Sequence, residues 1–330
     1  MRYRKLGESR LEASVMSLGT WQFADTGYWG SQGNAAETVR AALDHGINFF
    51  DCAEGYAGGE SEKVLGLALG QERRKALIAT KVSAGHCGAA KLKSSCEQSL
   101  KRLRTDYIDL YQVHWPARNI PFAETYAELA GLKEEGKIRE VGISNFGVKD
   151  MEQWLACGDL AVSNQLGYNL LFRAIEYQAV PACISAGMGI LAYMPLMQGI
   201  LAGRWQRVGD IPPRRRRSRH FSGNREGTRH GGKGHEELTM KTLSELSEAA
   251  REAGLSMADT AIAWLTAQPG ISSVIVGGRK PEQITANVRA VEVELEDAFL
   301  EKLNAITEPL KKALGDNLDM WENEAGSRSR

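Results

Sequence analysis

Apolar positions along the chain alternate between two spacings. Short β-branched or apolar runs recur at a nearly regular pitch, and the segments between them carry apolar residues three and four positions apart, as amphipathic helices do. The pattern predicts helices at residues 35–45, 60–69, 90–103, 122–135, 149–157, 176–186 and 281–291. It predicts eight strands, at residues 14–18, 47–51, 77–81, 107–114, 139–144, 161–165, 189–194 and 273–276.

Strands that alternate with helices predict parallel βαβ units and the α/β class. Eight strands are the number that closes a (β/α)8 TIM barrel, so we expect that architecture, with residues 1–330 as one domain. A doubly wound open sheet is the alternative arrangement. Residues 1–13 contain a Gly-Glu turn between short extended pieces, which we expect to be an N-terminal hairpin that caps the barrel.

Two segments depart from this pattern. Residues 196–236 separate the seventh strand from its helix and are rich in Gly, Arg and Pro. A loop of this length inside a compact domain is usually functional or disordered. After residue 295 an amphipathic segment ends in a polar Gly-Ser-Arg stretch, and we expect that end of the chain to be frayed.

The composition limits the class of protein. Of the 330 residues, 43% are hydrophobic and 25% are charged, which is typical of a soluble globular protein. No apolar run approaches the roughly 18 residues that a membrane span needs, so we expect no membrane partner. The first residues lack the apolar stretch of a secretory signal and the five cysteines are scattered, so we expect a cytoplasmic protein without a disulfide framework.

The balance of charges hides a basic segment. The chain has 41 basic and 41 acidic residues, but residues 204–233 hold nine arginines and one lysine against Asp210 and Glu226, a net charge of +8. The zero total argues against binding of nucleic acid. The basic segment is therefore a candidate to bind the phosphates of a small ligand, with an ordinary solvated loop as the alternative.

Four titratable side chains follow three neighbouring strands. Asp51 ends the second strand and Tyr56 follows it, Lys81 ends the third, and His114 ends the fourth. Each alone has an ordinary structural explanation, as a turn, packing, surface or core residue. Because the active site of a barrel lies at the C-terminal ends of its strands, we expect the four to converge on one rim.

This set suits the donation of a proton to a carbonyl oxygen. A phenol is a poor acid at neutral pH, and an adjacent ammonium is expected to lower the pKa of Tyr56. A carboxylate keeps the lysine charged, and a histidine can orient the substrate oxygen. Reduction of a carbonyl also needs an electron pair, which points to a hydride cofactor. We recognise no spacing of metal ligands and expect no metal.

Motifs along almost the whole chain resemble those of the aldo-keto reductase superfamily. Trp21 with the following Tyr28-Trp29-Gly30 is similar to its bacterial general-stress and inositol-operon branch. The motifs, in order, are residues 46–56 (GINFFDCAEGY), 79–82 (ATKV), 111–116 (YQVHWP), 142–146 (GISNF), 164–170 (NQLGYNL), 191–196 (LAYMPL) and 276–283 (VGGRKPEQ).

The resemblance implies a role for each motif. Tyr56 would be the general acid, Asp51 and Lys81 its tuning pair, and His114 the orienting residue. Substrate-binding residues would be Trp21, Tyr28, Trp29 and Trp115. Residues that bind the cofactor would be Ser144, Asn145, Gln165, Tyr193, Pro195, Leu196, Gly277, Gly278, Arg279, Gln283 and Asn287.

The cofactor expected from these residues is NADPH (NADP+). Glycines allow close approach of the backbone, and Arg279 beside them is a natural partner for the 2′-phosphate that distinguishes NADPH from NADH. Two residues depart from the family pattern. Met194 stands where a serine commonly follows the stacking tyrosine, and Glu54 is expected to point to solvent.

The leading function is therefore NADPH-dependent reduction of small aldehydes or ketones, sugars included, to alcohols. One alternative is a non-catalytic NADPH-binding regulatory subunit, because some members of the superfamily regulate membrane channels. Another is an aldolase in which Lys81 forms a Schiff base. The sequence leaves the physiological substrate and the oligomeric state open.

Overall fold

Eight parallel strands form a closed barrel in the computed structural model, which describes residues 1–24 and 34–330. The last strand pairs with the first, so the predicted (β/α)8 barrel is confirmed and an open sheet is excluded. The barrel strands are β3 (Met16–Gly19), β4 (Phe49–Asp51), β5 (Leu77–Val82), β6 (Ile108–Val113), β7 (Ile138–Ser144), β8 (Ala161–Gly167), β9 (Gly189–Tyr193) and β10 (Ile271–Gly277).

Helices surround this barrel, and their apolar faces cover its outer surface. The seven predicted helices are present, although the one predicted at 176–186 is shorter because its first residues form a 3-10 turn. The described helices are α1 (Ala35–Asp44), α2 (Glu60–Leu69), α3 (Ala89–Leu103), α4 (Phe122–Glu134), α5 (Val148–Leu155), α6 (Ala179–Ser185), α7 (Glu236–Glu252), α8 (Met257–Thr266), α9 (Pro281–Glu292) and α10 (Asp297–Leu314). None of them is both long enough and apolar enough to cross a membrane.

The predicted hairpin closes the N-terminal end of the barrel. Strands β1 (Tyr3–Lys5) and β2 (Glu12–Ser14) pair antiparallel. Leu6 and Leu11 of this hairpin pack with interior residues of the barrel, among them Phe49. The barrel is therefore blocked at this end and open only at the C-terminal ends of its strands.

The long loop after β9 is confirmed and is held by specific contacts. Residues 194–235 contain no strand and only short 3-10 turns. The buried ring of His220 has Nε2 2.8 Å from the carbonyl oxygen of Leu171 and Nδ1 3.1 Å from the hydroxyl of Ser218. Burial lowers the pKa of His220 to about 3, so this ring is neutral at physiological pH.

The predicted fraying of the C-terminal end is wrong. After α10 the chain turns back over the C-terminal face of the barrel, where Asp319 is fully buried and binds Arg328. Arg219 of the long loop donates to the carbonyl oxygens of Leu314, Asn317 and Asp319 at 2.6–3.1 Å. These contacts join residues 315–330, which we call the C-terminal segment, to the loop.

Replacing Arg219 with Ala should release the C-terminal segment. Three partly buried carbonyl oxygens would lose a charged donor, so we expect the free energy of unfolding to fall by about 2 kcal/mol. We also expect faster proteolysis within residues 315–330. Arg207→Ala is the matched control, because the Arg207 side chain in the same loop is 83% exposed. Equal stability and equal proteolysis in the two variants would contradict the role of Arg219.

Candidate active site

A buried ion pair lies at the C-terminal ends of β4 and β5. The ammonium of Lys81 is 2.6 Å from Asp51 Oδ1 and 2.6 Å from the carbonyl oxygen of Cys52, and it is fully buried. Burial pulls the pKa of Lys81 down, but the charge of Asp51 and the hydrogen bonds to Asp51 and Tyr56 outweigh this effect and hold it above its usual range. Lys81 is therefore a charged ammonium.

The third partner of Lys81 is the hydroxyl of Tyr56. Its oxygen lies 3.2 Å from the Lys81 ammonium. Burial raises the pKa of Tyr56, and the Lys81 charge opposes this without reversing it. The ammonium acts in the predicted direction, but burial, which the sequence does not reveal, outweighs it and raises the pKa of Tyr56 overall. Tyr56 carries its proton throughout the neutral range.

His114 lies on the other side of Tyr56. The two ring centroids are 5.8 Å apart, with the rings edge to face. Burial, with the nearby charges of Lys81 and Arg328, lowers the pKa of His114 to about 3. The imidazole is neutral and can either donate or accept a hydrogen bond. The structure thus brings the four predicted residues of the rim together.

The second carboxylate oxygen of Asp51 faces two amides. Gln165 Nε2 is 2.7 Å from Asp51 Oδ2, and Gln112 Nε2 is 3.4 Å from it. Gln112 was not predicted as a site residue. Its register partner in β5 is Lys81, so the alternation of inward-facing residues along β6 was the signal that could have identified it.

A chain of polar contacts continues from β7 to β9. Ser144 Oγ donates to the carbonyl oxygen of Gln165 at 3.0 Å. Asn145 Nδ2 is 3.0 Å from the carbonyl oxygen of His114, and Tyr193 Oη donates to Asn145 Oδ1 at 2.8 Å. Asn145 has a φ of 62°, a strained conformation for a residue with a side chain. The contacts of its amide on both sides hold it there.

These side chains form the floor of a cavity of about 550 Å³. Lys81 lies beneath the floor, and Asn287 is not among the described residues that line the cavity. Tyr28 and Trp29 lie outside the described residues. The predicted residues that do line it are Trp21, Asp51, Tyr56, His114, Trp115, Ser144, Asn145, Gln165, Tyr193, Pro195, Leu196, Gly277, Gly278, Arg279 and Gln283.

Gly277 and Gly278 line the cavity after β10, and each packs closely against a side chain. A Cβ added to Gly277 would lie 1.9 Å from Gln22 Nε2, and one on Gly278 would lie 2.6 Å from Ile284 Cδ1. The buried Gln22 Oε1 has no hydrogen-bond partner among the described residues. Gln283 Oε1 accepts from the backbone N–H of Arg279 at 2.9 Å. The two glycines are thus required by the packing of Gln22 and Ile284, and the Gln22 oxygen fits a ligand that brings a hydrogen-bond donor.

The basic segment also reaches the cavity. Arg204, Arg215 and Arg229 line it. Other arginines of the segment bind the protein itself: Arg219 holds the C-terminal segment, and Arg225 pairs with Glu236 at 2.6 Å. Some arginines of this loop therefore line the cavity, and others hold the loop and the C-terminal segment in place.

Met194 and Glu54, the two departures from the family pattern, lie in different surroundings. Met194 lines the cavity with a φ of 60°, and its carbonyl oxygen accepts from Asn169 Nδ2. The prediction that Glu54 points to solvent is wrong, since its side chain is only 8% exposed. Glu54 Oε1 accepts from the backbone N–H of Ser83 at 2.7 Å and pairs with His86 Nδ1 at 2.9 Å. It thus holds the turn after β5.

The C-terminal segment supplies cavity residues that sequence reasoning missed, Trp321 and Arg328. The guanidinium of Arg328 lies 3.7 Å above the ring centroid of Trp115. No periodicity or motif marks these residues in the sequence.

Among the described residues there is no group of three or more His, Cys, Asp or Glu side chains placed to hold a metal ion.

Comparison with known proteins agrees with this geometry. A model of the Aldo/keto reductase family matches residues 15–308. The chain belongs to the aldo/keto reductase family. Aldo-keto reductase YhdN of Bacillus subtilis is 33% identical over 301 residues, which are 87% of this chain and 87% of that protein. Membership of the aldo/keto reductase family supports an oxidoreductase activity.

Two further relatives have different descriptions. An aldo-keto reductase from Klebsiella pneumoniae, solved in complex with NADPH, is 29% identical with a TM-score of 0.73, covering 93% of this chain and 96% of that one. A probable voltage-gated potassium channel subunit beta of Arabidopsis thaliana is 31% identical over 312 residues, 89% of this chain and 92% of that protein. The same family therefore includes reductases and proteins described as channel subunits.

Removing one charge of the buried pair should cost more than removing both. Asp51→Ala leaves the Lys81 ammonium buried beside an empty site, so we expect the free energy of unfolding to fall by about 3–5 kcal/mol. The double variant Asp51→Asn/Lys81→Met should lose less free energy of unfolding than Asp51→Ala, because it leaves no buried charge unpaired. Urea denaturation measures both. A double variant less stable than Asp51→Ala would show that the pair is not the source of the cost.

Proposed function

We propose that this protein reduces aldehydes or ketones to alcohols with NADPH, using Tyr56 as the proton donor. The observation that carries the proposal is the position of the Tyr56 hydroxyl on the cavity floor. There it is 3.2 Å from a buried ammonium and beside a neutral imidazole. The family supports the reaction class, and the relative crystallised with NADPH supports the cofactor.

The cavity wall suits this cofactor. Gly277, Gly278 and Arg279 line the cavity beside one another, and the Arg279 guanidinium is our candidate to bind a phosphate. Ser144, Asn145 and Gln165 are our candidates to hold a carboxamide, and the ring of Tyr193 is our candidate to pack against a nicotinamide. When bound, NADPH supplies the hydride that the carbonyl carbon accepts.

The protein's own residues would supply the proton. The substrate oxygen would lie between the Tyr56 hydroxyl and the His114 ring, where two donors can stabilise the negative charge that develops on it. Tyr56 would then transfer its proton to that oxygen. The Lys81 ammonium would stabilise the phenolate that remains, and Asp51 keeps the ammonium in position.

The sequence is also compatible with two functions other than a reductase, a regulatory subunit and a Schiff-base aldolase. A regulatory subunit is favoured by the relatives described as channel subunits. The complete set of Asp51, Tyr56 and Lys81 argues against a purely regulatory role. Binding of a cofactor alone does not require a tyrosine hydroxyl beside a buried ammonium. A Schiff-base aldolase needs a neutral lysine, whereas Lys81 is a buried ammonium with three hydrogen-bond acceptors.

Replacing Tyr56 with Phe should strongly reduce the turnover number, kcat. Loss of a general acid typically reduces the rate about 10²–10⁴-fold, so we expect kcat for a generic aldehyde to fall within that range. The dissociation constant of NADPH, measured by fluorescence titration, should stay unchanged. Tyr177→Phe is the matched control, because Tyr177 is 41% exposed on the surface. A Tyr56→Phe variant that keeps most of its rate would exclude the mechanism.

Replacing Arg279 with Gln should weaken NADPH more than NADH. Loss of a charged hydrogen bond to the 2′-phosphate should raise the dissociation constant of NADPH about tenfold or more. The dissociation constant of NADH should change little. Arg289→Gln, in α9 with a 72% exposed side chain, is the control. Equal losses for the two cofactors would remove Arg279 as the source of phosphate selectivity.

A further inference from the structure

We infer that Arg328 of the C-terminal segment binds a carboxylate of the substrate, so that the enzyme prefers carbonyl compounds that carry a carboxylate. This inference rests on the proposed reductase function and names its substrate class. It concerns a residue that lies beyond the last helix and outside all of the family-like motifs.

Arg328 lies at the reacting end of the cavity. Its guanidinium stacks on Trp115 at 3.7 Å, and Trp115 is the neighbour of His114 in the chain. The charge of Arg328 is one of the causes that lower the pKa of His114. A substrate whose carbonyl oxygen lies at His114 would therefore have its remaining carbon chain near the Arg328 guanidinium.

The position of Arg328 separates it from the cofactor's phosphates. Arg279 follows β10, whereas His114 and Trp115 follow β6. The strand order is β10-β3-β4-β5-β6-β7-β8-β9 in a closed ring, so β10 and β6 lie four strands apart on opposite sides of the rim. An arginine at the β6 side is available for the substrate while Arg279 binds the cofactor.

The guanidinium of Arg328 is held in one orientation. Nε and Nη2 donate to the two oxygens of Asp319 at 2.7 and 3.0 Å, and Asp319 is fully buried. The carbonyl oxygen of Arg328 accepts from Arg118 Nη2 at 2.7 Å. Nη1 has no hydrogen-bond partner among residues 1–24 and 34–330. The protein thus presents one fixed donor, with little side-chain entropy left to lose on binding.

The charges around the cavity favour an anion. The arginines that line it are Arg204, Arg215, Arg229, Arg279 and Arg328. Arg229 lies 3.1 Å from Glu322 and Arg328 is paired with Asp319, which leaves part of the positive charge at the cavity balanced. Asp51, the one acidic residue among the described lining residues, is paired with Lys81. A carboxylate on the substrate gains a charge-assisted hydrogen bond from Arg328, which a neutral group of the same size does not.

The test compares two aldehydes of equal chain length, succinic semialdehyde and butanal, at saturating NADPH. The variant is Arg328→Gln/Asp319→Asn, which removes both charges and does not leave a buried carboxylate unpaired. We expect the ratio of kcat/KM for succinic semialdehyde over butanal to fall about tenfold or more, the loss of one charged hydrogen bond. The ratio is the readout rather than either rate, because the Arg328 guanidinium also packs on Trp115 in the cavity wall.

Asp319→Asn alone is the matched control. Asparagine keeps one acceptor oxygen to hold the Arg328 guanidinium in place and removes the charge that neutralises it, so the same ratio should rise. Competitive inhibition by succinate should weaken in the double variant and strengthen in Asp319→Asn. A merely structural role of the pair would shift the ratio in one direction in both variants or leave it unchanged, and either result overturns the inference. A wild-type protein that reduces neither aldehyde would instead refute the proposed function.

Discussion

The contact between Lys81 and Asp51 is the interaction on which the site depends. A buried ammonium is stable only when every one of its protons meets an acceptor, and here the acceptors come from the carboxylate, a backbone carbonyl and the phenol. The other carboxylate oxygen needs donors of its own, which Gln112 and Gln165 provide. Because these residues follow or belong to β4, β5, β6 and β8, the geometry of the pair and the closure of the barrel depend on each other.

The fold and the floor of the site were largely predictable. Both follow from local rules: spacing separates strands from helices, and the architecture brings strand ends together. The alternation of inward-facing residues along β6 also predicts that Gln112 faces the site. The pKa of Tyr56 could not be predicted in this way, because it depends on how deeply the phenol is buried as well as on the nearby charges.

The part that could not be predicted depends on contacts between distant segments. Arg219 and the carbonyl oxygens that it binds are about a hundred positions apart in the chain, and neither partner has a periodic pattern. A run of arginines looks the same whether it binds phosphate or its own backbone. Here Arg219 and Arg225 bind other parts of the protein, while Arg204 and Arg215 line the cavity.

The C-terminal segment has a consequence for how such a protein can change over time. It forms one wall of the cavity without adding a strand to the barrel or a residue to the proton-donor group. Mutations in residues 315–330 can therefore alter the shape and charge of that wall while strand pairing stays intact. On the proposed role of Arg328, part of the preference for a substrate is encoded outside the stretches that carry the proton-donor group, and natural selection can act on that part separately.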